Sequence, residues 1–223
     1  CTGADLEVGW LPLLLRRAGN ASIQPGTPGY FLAADHVRRL EIPKSIDRSG
    51  GDVHPQGNPH IHLQPRNIER VAKALGQSLV SIDSANAAWY QGRLDDFLTR
   101  WATATQQWEI DAADLDGMRI VTHHRSFSYL ADWLRLDVVA TLEPKPGVPA
   151  SGAQLSKLLE QLNPSPPRMI IRAPFENEKA GRWLSGRLDV PVVELPYTVG
   201  GNEAAMDLFS LYTETIRILT EQD

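Results

Sequence analysis

Two short stretches hold four of the chain's six histidines. In Asn58-Pro59-His60-Ile61-His62-Leu63-Gln64-Pro65, two imidazoles stand two residues apart between prolines, ahead of an amphipathic helical pattern. In Val121-Thr122-His123-His124-Arg125-Ser126, a short apolar run typical of a buried strand ends on two more, where a new helical pattern begins. Neutral imidazole is a borderline ligand suited to zinc and similar divalent ions, and scattered pairs become a site only when the fold brings them together. Side chains at i and i+2 of an extended segment share a face, whereas immediate neighbours point apart. His62 can therefore accompany His60, but only one of His123 and His124 is expected to meet an ion, and the reading chooses His124. His36 and His54 read as surface residues or as neighbours of a site. Ser126 and Ser128 beside His124 suggest a nucleophile and base, but no glycine-flanked nucleophile turn surrounds either serine.

Composition bounds the rest. A chain of 223 residues can bury a real core as one large domain or two small ones, and two lobes is the working assumption. With 22 basic against 27 acidic side chains and no basic run to track a phosphate backbone, nucleic acid is not an expected partner. No stretch approaches the ~20 apolar residues that span a bilayer. The single cysteine, Cys1, allows no internal disulfide and no thiolate cage. It is compatible with a lipid-anchored mature terminus, but Cys1-Thr2-Gly3 before Ala4-Asp5-Leu6-Glu7 also reads as the end of a strand entering a turn. The second reading implies that the chain begins inside a fold whose upstream part is absent.

The positioning elements follow from periodicity. Trp10 to Asn20 reads as a short helix with basic residues in its last turn and Gly19 as its stop. Between residues 21 and 57, Pro25, Gly26, Pro28, Gly29 and Ser49-Gly50-Gly51 break the chain into loops around one short strand near Leu40-Ile42. Helix resumes at Pro65, with Ile68, Val71, Ala72, Leu75 and Leu79 as its apolar stripe. From Ala85 to about Ala113 the pattern is helical throughout, with Trp101 and Trp108 at core spacing. It predicts one helix of ~40 Å, or else two helices kinked at Gly92. Trp89, Trp101, Trp108 and Trp133 read together as helix packing. After Asp116-Gly117, strands at 119–122, 137–141, 168–172 and 190–195 alternate with helical runs at 127–134, 155–162, 175–188 and 205–219. Such repeats make a parallel sheet covered by helices. Ligands of these sheets sit beyond the carboxyl ends of the strands, where His124, Glu143, Pro174 and Tyr197 fall.

The asparagine-proline-histidine stretch, the histidine opening the helix of Val121-Thr122-His123-His124-Arg125-Ser126-Phe127-Ser128-Tyr129-Leu130 and the long helix between them resemble a known family. It comprises the zinc- and manganese-binding solute-binding proteins of bacterial ABC transporters. Gly3-Ala4-Asp5-Leu6-Glu7-Val8-Gly9-Trp10-Leu11-Pro12, Leu142-Glu143-Pro144-Lys145-Pro146-Gly147 and the terminal helix extend the similarity over nearly the whole chain. The resemblance implies an α/β fold of two lobes with parallel sheets joined by one long spine helix: an incomplete N-terminal lobe at 1–84, the linking helix at 85–115 and a C-terminal lobe at 116–223. It implies a metal held in the cleft between lobes, with His60, His124 and Glu143 as the ligands carried across, and Zn²⁺ as cargo with Mn²⁺ as an alternative. It implies a periplasmic or lipid-anchored monomer, not an enzyme, that delivers its cation to an ABC transporter membrane permease.

Two departures mark this chain. The family's first metal histidine belongs to a segment that would precede Cys1, and the C-terminal aspartate is missing from Tyr197-Thr198-Val199-Gly200-Gly201-Asn202. His62 stands where the family has an aromatic residue and reads as its packed replacement. Two rival readings of the same residues are a zinc hydrolase using His60, His62 and His124 with a water on the fourth position, and a metal-free adhesive scaffold.

Overall fold

The four predicted strands of the C-terminal half form one sheet, because each is a short β-branched run between helical stretches. The structure, a computed structural model, describes residues 1–43 and 54–221. Strands β1 (Arg119–Thr122), β2 (Asp137–Thr141), β3 (Met169–Arg172) and β4 (Val192–Glu194) pair in the order β2-β1-β3-β4, all parallel. All four carboxyl ends therefore emerge at one edge. The register slips once. Ile120 pairs with Val138 and Val121 with Ala140, so Val139 is left over as a bulge.

Seven helices accompany the sheet among the described residues: α1 (Leu11–Ala18), α2 (Pro65–Ile82), α3 (Ala87–Asp111), α4 (Ser128–Leu134), α5 (Gly152–Leu162), α6 (Lys179–Leu188) and α7 (Leu208–Thr220). Gly19, at φ +59, ends α1 in the left-handed conformation that glycine adopts without steric penalty. Ser151 opens α5 and Asp207 opens α7, each through a reciprocal capping box. Val121, Leu142, Leu155, Leu162, Ile170, Leu184 and Leu188 form the buried cluster between sheet and helices.

The described residues fall into two compact units, 1–43 with 54–103 and 104–221, and the division lies inside α3. This helix is one uninterrupted element of 25 residues, ~37 Å at 1.5 Å per residue, and it does not break at Gly92. Within the N-terminal unit, Trp101 is buried and donates from Nε1 to the Pro65 carbonyl at 2.9 Å, tying α3 to the start of α2. Within the C-terminal unit, Trp108 stacks on Tyr212 of α7 at 4.9 Å and donates to Thr213 Oγ1. Trp133 meets Tyr212 edge-on. Trp89 departs from the core expectation: it is 63 % exposed, against the edge of Tyr90.

The sheet belongs wholly to the C-terminal unit. Among the described residues the N-terminal unit is helix, short 3-10 turn and loop, and the parallel sheet of the expected α/β fold is the one in the C-terminal unit. Leu40-Ile42 is not a strand. Asn58 N–H donates to Leu40 C=O, and this bond is not part of a strand ladder. Cys1-Thr2 is likewise not a strand. The carbonyls of Cys1 and Thr2 accept from the N–H groups of Ala33 and Ala34, while the Glu7 carboxylate accepts from Thr2 and Gly3 N–H. The Ser49-Gly50-Gly51 turn read from the sequence lies outside the described residues.

Candidate metal centre

His124 leaves β1 in extended conformation, at φ −122 and ψ 173, immediately before a 3-10 turn at Arg125–Phe127 leads into α4. Its Nδ1 meets Glu143 Oε2 at 2.7 Å. With the carboxylate ionised, that bond requires the proton on Nδ1 and leaves the Nε2 lone pair as the ring's metal-binding atom. The same Oε2 accepts the Gly147 N–H at 2.8 Å, because Pro144-Lys145-Pro146-Gly147 curls back with Gly147 at φ +75. Glu143 is thereby held from its own loop while it holds the histidine. Carboxylate behind imidazole is the arrangement that fixes the tautomer and orientation of a metal-ligating histidine.

His123 reaches the same carboxylate from the other side. Its Nε2 lies 3.8 Å from Glu143 Oε1, while Nδ1 is buried without a hydrogen-bond partner. Adjacent side chains on a strand do point apart, but a glutamate beyond the strand end offers one oxygen to each. Its backbone remains in the sheet, donating to Ile171 C=O and accepting from Glu143 N–H. Spacing within the strand allowed only one of the two histidines to meet an ion; the approach of Glu143 to both is set by the pairing of β1 with β2.

Glu176, after β3, is a residue that sequence reasoning missed. It accepts from Ser126 Oγ at 3.0 Å and from Ala173 N–H at 2.7 Å, so it joins the turn after β1 to the turn after β3. Ser126 serves as a structural donor here. Tyr197, after β4, packs edge-on against Phe127 and Phe175. Burial, helped by the charge of Glu176, pushes its phenol up to about 12. The loop that lacks the family aspartate is fastened instead by Asn202, which donates to Glu214 Oε1 at 3.1 Å and accepts from Ala204 and Ala205 N–H.

His60 belongs to the N-terminal unit and is held by a different device. Its N–H donates to Asn58 Oδ1 at 2.9 Å, and Asn58 Nδ2 donates to Glu41 Oε2 at 2.8 Å. Gly57, at φ +102, is a position where a Cβ would stand 2.8 Å from Leu40 O, so only glycine lets this turn close. The His54 ring stands edge-on to His60 at 6.4 Å. His62 is half-buried in a 3-10 turn between the buried Ile61 and Leu63, and His36 stacks on Phe31 at 4.7 Å. The structure thus joins His124 to Glu143 in one unit and places His60 in the other. Among the described residues no three His, Cys, Asp or Glu side chains are assembled to hold an ion.

A parallel sheet with an oriented imidazole at its carboxyl edge, reached from the rest of the chain through one long helix, is the framework of the metal-capturing solute-binding proteins. The profile of the family described as zinc-uptake complex component A, periplasmic, matches residues 1–222, and the chain belongs to that family. It is a metal-capturing component of transport and not an enzyme, so the hydrolase reading of the histidines falls. No curated protein matches it in sequence. Among solved structures, a crystal structure of ZnuA superposes with a TM-score of 0.76 at 21 % identity, covering 100 % of this chain and 78 % of that one. A periplasmic metal-binding protein from candidatus liberibacter asiaticus gives 0.75 at 14 % identity, covering 100 % and 78 %. A mutant of the laminin-binding adhesin Lmb from Streptococcus agalactiae gives 0.68 at 18 %, covering 86 % and 70 %. At these identities the likeness is one of fold. No helix of the described residues is long and apolar enough to cross a membrane.

Proposed function

We propose that the chain captures Zn²⁺ outside the cytoplasm, in the periplasm or on a lipid anchor, and hands it as a monomer to the permease of an ABC transporter. His124 supplies Nε2 to the ion, and Glu143 holds that ring. The observation that carries this reading is the 2.7 Å bond between His124 Nδ1 and Glu143 Oε2, since a carboxylate fixing one ring nitrogen prepares the other for a metal. Imidazole donors favour zinc, whereas manganese is better suited by carboxylate and water oxygens. Calorimetric titration with Zn²⁺ and with Mn²⁺ tests the assignment. One zinc ion is expected to bind, with manganese weaker. A preference for manganese would overturn the choice of metal, and zinc binding that survives His124→Ala would overturn the site.

A further inference from the structure

His124 and Glu143 also form part of the wall of a cavity of about 680 Å³ that lies wholly within the C-terminal unit. An ion with six waters occupies roughly 180 Å³ at the ~30 Å³ share of a liquid water. The cavity therefore has the capacity of a small-molecule pocket, a class that runs from about 300 to 1,000 Å³. Its other walls suit an organic body. Leu142 and Leu155 belong to the buried core cluster, Ala180 and Trp183 pack against that cluster, and the Phe175 ring at the same cavity is 70 % exposed. A bare divalent ion gains nothing from apolar and aromatic surface of this kind.

The charges narrow the occupant. Glu143 and Glu176 line the cavity against one ammonium, Lys179, which makes no ion pair among the described residues. Two carboxylates disfavour a free organic anion, but the complex of that anion with a divalent cation is neutral or positive. Lys179 can then receive a carboxylate oxygen directed away from the metal. Zinc takes four donors, and the protein donors assigned above fall short of that number. A chelator seated beside His124 would supply the rest.

We propose that this cavity binds a small carboxylate chelator with an aromatic or apolar body, so that the protein takes up its cation as a chelate. The inference rests on the capture reading above, because it needs a metal on His124. The test is equilibrium dialysis of the full chain with Zn²⁺ and picolinate, a bidentate aromatic carboxylate, with metal and picolinate measured separately. Picolinate is expected to be retained one-to-one when zinc is present, and at least tenfold less without it. Ala150→Phe, which adds an aromatic ring to the cavity wall without changing His124 or Glu143, should abolish retention of picolinate while zinc is still held. Lys179→Glu, at an exposed position, should weaken picolinate retention several-fold with zinc unaffected, and it decides the matter if Ala150→Phe does not fold. Zinc held while picolinate passes through would overturn the chelate proposal alone, as would retention that persists in both variants. Failure to hold zinc with or without picolinate would overturn the capture reading and this inference with it.

Discussion

The two histidine stretches are secured by different physics. His124 stands at the end of β1, whose Ile120 and Val121 are fully buried and paired on both sides, so its backbone inherits the rigidity of the sheet. His60 stands in a loop kept in shape by Gly57, by Asn58 and by the carboxylate of Glu41. A position set by a core changes only when the core does, whereas one set by polar bonds can be lost with a single side chain. The histidine of the C-terminal unit should therefore keep its place under local change, and that of the N-terminal unit only while its polar bonds last.

Breaking each unit at its core comes first. Trp101→Ala removes a buried indole with its bond to Pro65, and Leu184→Ala empties part of the sheet-helix core; losses of about 3–5 and 2–5 kcal/mol are expected. Denaturant unfolding followed separately in the two units should show each substitution moving its own unit most; equal shifts would contradict the division within α3. Next, Glu143→Gln should lower zinc affinity ~10–100-fold by releasing the His124 ring, and His124→Ala should lower it at least as far. Calorimetry showing Glu143→Gln at wild-type affinity would remove the carboxylate from the site.

A smaller effect sharpens the contrast between loop and sheet. Asn58→Ala should cost about 1 kcal/mol and raise hydrogen exchange across residues 54–60 while residues 119–124 stay protected. Equal protection in both stretches would mean that the loop does not depend on Asn58. The smallest effect is on acid stability. The Arg217 guanidinium bonded to Glu214, with Asn202 adding to it against the effect of burial, holds this carboxyl below the ordinary carboxylate range. A lowered native pKa stabilises above the unfolded value of about 4.3, and that contribution is lost as pH falls through the native value. Glu214→Gln should flatten the acid limb of the stability curve; an unchanged limb would show that the pair contributes nothing.

The C-terminal unit was the more legible from sequence, and its strands and helices lie close to where periodicity placed them. Alternating apolar runs and helical stripes encode a parallel sheet locally, and the two central runs, β1 and β3, are the ones buried along nearly their whole length. The N-terminal loops were not, since the bonds of Glu7, Asn58 and Glu41 to backbone and side chains are compatible with many sequences and leave no period. Trp89 fits a helical spacing that predicts burial, but it occupies the solvent side of its helix. The pairing of His124 with Glu143 spans 19 residues and depends on which strand lies beside β1, a matter of topology that residue spacing does not carry.

The unpaired Val139 has a consequence for how this chain tolerates change. Were β1 and β2 matched residue for residue from Arg119 and Asp137, Thr122 would sit opposite Ala140 in place of Thr141. Thr141 would then take the core place of Leu142, and Leu142 the place from which Glu143 now reaches His124. The surplus residue is a phase correction between a strand's entrance and its exit. Shortening the chain by that one residue should leave the histidine–carboxylate pair standing, because Ala140 and Thr141 keep Val121 and Thr122 as their partners.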